Sequence, residues 1–114
     1  MSQHNTSVSF RHMLDHALEA VAMVEGKTRA DLYKDRQLNL ALVRLLEIIG
    51  EAATRIPKEE QVHYSDIPWS EIVSLRNRLI HGYDTVDFDI LWQIMNQDLP
   101  GLIKALRKAL AEEF

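Results

Sequence analysis

Between Arg76 and Tyr83 the chain reads RNRLIHGY, two arginines, an asparagine, a histidine and a tyrosine gathered around two aliphatic side chains. These residue types suit one chemistry well. Arginine presents a planar fork of donors that matches phosphate oxygens, and histidine exchanges a proton near neutral pH. Together they suit metal-free phosphodiester cleavage. Histidine can take the proton from a ribose 2′-hydroxyl or return one to the leaving 5′ oxygen, while arginine stabilises charge growing on the phosphoryl oxygens. DNA lacks that hydroxyl, so the chemistry selects RNA. A plainer account fits the same residues: a histidine favoured by the macrodipole at a helix end, Gly82 as the residue after the cap, and solvated arginines.

Two other groups invite a chemical reading. Glu47 and Glu51 in LEIIGEAA stand one helical turn apart and could form an acid/base pair or bind a metal, although a solvated face explains them more simply. Gly50 between them weakens a helix by about 1 kcal/mol relative to alanine, which predicts a close backbone approach there, from within the bundle or from a second chain. His12 and His16 are four residues apart, but no third ligand of matching character lies nearby; with His4 and His63 they read as surface or boundary residues. No metal and no cofactor are expected.

The elements that must position RNRLIHGY are helical. Phe10, Met13, Leu14, Ala17, Leu18, Val21 and Ala22 draw an apolar stripe on a first helix, with Gly26 as its stop. A second helix is predicted from about Arg36 to Arg55, with Leu38, Leu42, Leu45, Leu46, Ile49, Ala52 and Ala53 inward; GKTRADLYKD reads as the connection before it. Pro57 ends that helix and PKEEQVHYSDIP reads as a polar loop. A third helix opens near Pro68, buries Ile72, Leu75 and Leu79, and closes at Gly82. Carried on ideal helical geometry to His81, it sets Asn77 and His81 nearly in line and Arg76 about 140° from His81, so Arg76 must reach round or meet a histidine across a symmetric contact. A fourth helix starts at a capping Asp87, is interrupted by DLPG and resumes as a kinked continuation through LIKALRKALAEEF.

These patterns predict an all-α, antiparallel four- to five-helix bundle forming one domain over residues 1–114. With 46% apolar and 26% charged residues the composition is that of a soluble globular protein. The absence of cysteine excludes disulfides and thiol catalysis. The N-terminus does not read as a signal peptide and no apolar run is long enough for a bilayer, so a cytoplasmic protein is expected. A net charge of −4 excludes nucleic-acid binding through the whole surface, and any such chemistry must be local.

RNRLIHGY resembles the Arg-x4-His-x-Tyr signature of HEPN-domain ribonucleases, and specifically of the HepT toxins. The resemblance covers nearly the whole chain: FRHMLDHALEAV is similar to the family's first helix, RLLEIIGEAATRIP to its second, and DIPWSEIVSLRNRLIHGYDTVDFDILWQIMNQDLPGL to its third and fourth. It implies a toxin of a type VII toxin–antitoxin system, an endoribonuclease with Arg76 and His81 as its catalytic pair and Asn77 in support. Tyr83 would be the hydroxyl that a nucleotidyltransferase antitoxin of the MntA type modifies with AMP. The family's dimers set two motifs face to face across a cleft, which implies a homodimer and would meet the geometric difficulty of Arg76 and His81. The commonest form of the motif carries an aromatic residue after the tyrosine, where Asp84 stands here. An older interpretation of the domain, a noncatalytic helical subunit that helps a nucleotidyltransferase hold its nucleotide or substrate, is the alternative.

Overall fold

The computed structural model describes residues 3–81 and 85–113, with side chains described for 6–80 and 85–112. Helix α1 (Gln3–Val24) packs along α3 (Arg36–Thr54) and against α8 (Leu99–Glu113), completing the frame of an all-α, HEPN-like bundle. Leu42, Leu46 and Ile49 of α3 are fully buried, as are Phe10, Met13, Ala17 and Ala20 of α1. Each large aliphatic side chain so buried contributes roughly 1.5–3 kcal/mol. The inward set predicted for α3 is buried without exception. On α1 the stripe runs through positions 10, 13, 17, 20 and 24, at steps of three and four; Leu14, Leu18 and Val21 flank it, and Ala22, expected inside, is exposed.

The connection before α3 holds a further short helix, α2 (Arg29–Lys34). Gly26 at φ +76° turns the chain out of α1. Thr28 then caps α2 in a reciprocal box: its side chain accepts from the Asp31 N–H, and the Asp31 carboxylate accepts from the Thr28 N–H at 2.8 Å. That backbone donor holds the Asp31 carboxyl below its ordinary range. Asp35 closes α2 through its own N–H and opens α3, its side chain accepting from the Leu38 N–H. Buried Asn39 donates to the Leu32 carbonyl at 2.9 Å, tying the two helices together. The expected polar loop after Pro57 is likewise structured, as α4 (Lys58–Gln61) and a 3-10 turn (Val62–Tyr64).

The third predicted helix is two. α5 (Trp69–Val73) and α6 (Leu75–Leu79) are separated at Ser74, whose φ −98°, ψ 12° leaves the helical region. The Ser74 hydroxyl donates to the Ser70 carbonyl at 2.8 Å, a local bond that competes with regular backbone pairing. α6 ends at Leu79, three residues short of the expected Gly82, because Ile80 is extended at φ −98°, ψ 124°. Ile80–His81 (β1) then pairs antiparallel with Thr85–Val86 (β2), Ile80 opposite Val86 and His81 opposite Thr85. The Asp87 N–H extends this link by donating to the Leu79 carbonyl at 2.8 Å.

Asp87 caps α7 (Phe88–Gln93) as expected, accepting from the Ile90 N–H at 3.0 Å. The expected interruption is absent. A π turn (Ile94–Asp98) joins α7 to α8, with the Leu99 N–H reaching back to the Ile94 carbonyl. Pro100 falls in the first turn of α8, and having no N–H it cannot donate to the carbonyl four residues earlier; the chain accommodates this by the wider turn rather than a break.

Candidate active site

Three contacts fix α5 and α6. The Trp69 indole N–H donates to the carbonyls of Gln61 and Tyr64, at 3.1 and 3.2 Å, and its ring lies 6.1 Å from that of Phe10 on α1. Ile72, Leu75 and Leu79 are buried, as their spacing predicts. Gly50 supplies the third. A Cβ on Gly50 would lie 3.2 Å from the Ile72 carbonyl oxygen and 3.4 Å from that of Val73, so the missing side chain lets the backbone of α5 settle onto α3. The close approach predicted from this glycine is met within the chain.

Arg76 and Asn77 are exposed on α6 and line an open depression of about 190 Å³, together with Leu46, Glu47, Gly50, Glu51, Thr54 and Val73. Arg76 Nε lies 3.6 Å from Glu47 Oε2, beyond hydrogen-bond length, and half of the Arg76 side chain is exposed. Such a pair contributes about 0–1 kcal/mol, so a phosphate could take the guanidinium from Glu47 at small cost. Arg44 stands 3.8 Å from both Glu47 and Glu51. The two carboxylates therefore belong to a four-membered charge array with two arginines rather than to a bare acidic face. Among the described residues no three His, Asp or Glu side chains gather as metal ligands would.

The structure alters the expected relation of Arg76 to His81. With α6 ending at Leu79, the helical angle of about 140° does not describe the pair, because the His81 backbone is in β1. The His81 side chain, Gly82, Tyr83 and Asp84 lie outside the described residues. The second arginine of the motif, Arg78, is turned away from the depression and bonds Asp98 at 3.1 Å. Sequence reasoning assigns roles to neither Glu47 as a partner of Arg76 nor Asp98 as a partner of Arg78; both depend on contacts between distant segments.

The remaining expected features fall elsewhere. His16 Nδ1–H donates to the His12 carbonyl at 2.6 Å, and the two rings meet edge-on 6.5 Å apart, at an exposed and a half-buried position. His63 is exposed and borders a separate depression of about 150 Å³ against α8, which holds none of the motif residues. Around Gly50 and the motif, Ala53 is fully buried in the core, Ile80 is half-buried and Val73 is 43% exposed.

The family model described as Ribonuclease HepT-like matches residues 13–109. The chain belongs to the HepT-like ribonuclease family. A relative from Caldanaerobacter subterraneus subsp. tengcongensis, named "Putative RNase TTE0752", is 38% identical over 102 residues, covering 90% of this chain and 91% of the relative. The "Probable ribonuclease HepT" of Thermococcus cleftensis is 37% identical over 98 residues, covering 82% and 89%. A Methanocaldococcus jannaschii protein, "Putative RNase MJ1380", is 31% identical over 104 residues, covering 91% and 95%. No solved structure matches. In this HepT-like chain, no helix among the described residues is long and apolar enough to cross a membrane.

Proposed function

We propose that this chain is a metal-independent endoribonuclease, the toxin of a type VII toxin–antitoxin pair, acting in the cytoplasm as a homodimer and silenced by AMP transfer to Tyr83 from an MntA-type nucleotidyltransferase. Arg76 carries the reading: within a ribonuclease family, it is exposed with Asn77 at the rim of a depression, weakly held, on the helix that ends two residues before His81. His81 takes the proton of a ribose 2′-hydroxyl, the 2′ oxygen bonds to phosphorus, and the bond from phosphorus to the 5′ oxygen breaks. A protonated His81 returns a proton to that leaving oxygen, and in a dimer two copies of the residue divide these roles. Arg76 offsets the charge on the phosphoryl oxygens, and Asn77 supports it with a neutral donor. No step in this sequence calls on a metal.

Tyr83, two residues beyond His81, places an acceptor hydroxyl at the same end of the motif. An attached AMP would add negative charge and bulk where the scissile phosphate must enter.

Expression of the chain alone tests the reading. Wild type should arrest growth, and Arg76→Ala and His81→Ala should each abolish the arrest with helical content unchanged. Growth unaffected by active levels of wild type would favour the noncatalytic subunit. On co-expression with the nucleotidyltransferase, intact mass should show one or more AMP units on wild type and none on Tyr83→Phe, which stays toxic. Neutralisation without added mass would return Tyr83 to an ordinary tyrosine.

A further inference from the structure

On a short helix at 100° per residue, Arg76 and Arg78 project about 160° apart, and each finds an acidic partner on its own side of α6. The two pairs differ in kind. Arg76 meets Glu47 at 3.6 Å with half its side chain exposed, whereas Arg78 Nη2–H donates to Asp98 Oδ2 at 3.1 Å, with side-chain exposures of 30% and 25%. The second is a formed, part-buried, charge-assisted hydrogen bond between segments twenty residues apart.

Asp98 reaches that position because of the π turn. On an unbroken α-helix, Leu91, Met95, Asp98 and Leu102 would succeed one another at steps of four, three and four, which sets Asp98 in the middle of the buried stripe. Here Leu99 is fully buried, and Asp98, the last residue of the π turn, stands at the flank that faces α6. One added residue in a turn shifts the phase of every downstream residue by roughly 100°. Pro100 favours that shift by withholding the N–H a regular turn would need. The turn, the proline and the aspartate thus form one device, and its product is the bond to Arg78.

We propose that Arg78 and Asp98 are positioning residues, a clamp that fixes α6 and the start of β1, and that Arg78 makes no contact with RNA although it lies within the motif. The clamp holds one flank of α6 while Gly50 seats α5 behind it, leaving Arg76 as the arginine presented to substrate. The catalytic consequence rests on the reading of Arg76 and His81 given above; the clamping itself does not.

Three measurements on the full-length chain test this. Salt dependence of binding to a single-stranded 2′-O-methyl RNA oligonucleotide separates the arginines: Arg76→Gln should lower the log–log slope by about 0.7, the loss of one phosphate contact, and Arg78→Gln should leave it unchanged. Asp98→Asn and Arg78→Gln should each lower kcat by about 10- to 100-fold with KM moving less than about twofold, and the exchanged pair Arg78→Asp with Asp98→Arg should recover much of the loss. Amide exchange in Asp98→Asn should rise at Leu79 and Asp87 while staying unchanged in α3. If Asp98→Asn unfolds the chain, Arg78→Lys, which keeps the charge and loses the fork, carries the same comparison. A fall in slope with Arg78→Gln, equal to that with Arg76→Gln, would overturn the proposal, as would unaltered exchange at Leu79 and Asp87. A wild type that cuts no RNA would sink the ribonuclease reading and leave the exchange and salt results to decide the clamp.

Discussion

α3, nineteen residues in one helix, and the stretch from Trp69 to Ile80 have opposite construction. α3 follows one helical path with ten buried positions and draws its stability from apolar area. The second stretch is cut at Ser74 and again at Leu79, and it is held by three buried aliphatic side chains, by Trp69, by the seat at Gly50 and by one half-buried ion pair. The contrast separates two tasks. A continuous apolar stripe fixes the frame by the sum of many interchangeable contacts, whereas a broken segment sets the direction of particular polar side chains through a few contacts that cannot be exchanged. Mutations in the two regions should therefore trade stability against activity in opposite proportions.

The largest loss of stability is expected from Leu42→Ala. Leu42 is fully buried in the middle of α3, and truncation there should cost about 2–5 kcal/mol in urea titration. Cleavage per folded molecule should stay near wild type, because the residue is not among those that line the depression. Equal losses in stability and specific activity would erase the distinction between frame and site.

Gly50→Val joins the two regions. Its side chain would push against the Ile72 and Val73 carbonyls, which cannot yield without moving α5, at a cost of roughly 1–3 kcal/mol. Helix α6 should move with α5 and activity should fall by at least about tenfold, a loss larger in proportion than that of Leu42→Ala. Wild-type activity in a folded Gly50→Val would show that the seat does not govern Arg76.

The smallest effect is predicted for Thr28→Ala, which removes half of the capping box of α2, far from the motif in sequence. A cost of about 0.5–2 kcal/mol is expected, with activity unchanged. The linked Asp31 carboxyl is held below its usual value of 3.8 by the Thr28 N–H, so the stability this contributes is present above the unfolded carboxylate range and disappears as pH falls through the lowered folded value. Acid titration monitored by circular dichroism should show wild type and Asp31→Asn converging at low pH, since Thr28→Ala keeps the backbone donor; a gap that widens on acidification would contradict the assignment.

The same contrast governs what can be read from sequence. α3 is legible because a single period decides its seven expected inward positions, although Asn39 and Val43 are buried beside them, and Asp87 because a cap is a local bond. Gly50 is legible as a contact since a glycine inside a helix lacks a local reason, although the sequence leaves open which backbone meets it. α2 escapes a reading of periodicity because six residues with one buried leucine carry too little of it to stand out. The break at Ser74 goes with a local hydroxyl-to-carbonyl bond that serines inside regular helices also make, and the end of α6 at Leu79 with pairing to Thr85–Val86, so helical continuation is the natural extrapolation from spacing. At the candidate site, Arg76 and Asn77 are brought to one depression, while the acidic partners of the two arginines cannot be read from spacing: Glu47 and Asp98 lie 29 residues before Arg76 and 20 after Arg78. Sequence alone places Asp98 in the DLPG interruption, and its pairing with Arg78 emerges only once the π turn sets its phase.

The most direct test of the account is the product chemistry of purified protein acting on end-labelled single-stranded RNA in excess EDTA. Wild type should cut and leave a 2′,3′-cyclic phosphate on one fragment and a 5′-hydroxyl on the other. It should spare the same oligonucleotide carrying 2′-deoxyribose at the cleaved position, and His81→Ala and Arg76→Ala should each lose activity by orders of magnitude. Cleavage of the deoxy-substituted strand, 5′-phosphate products, or activity that vanishes with EDTA and returns with a divalent ion would contradict a mechanism built on the ribose hydroxyl, His81 and Arg76.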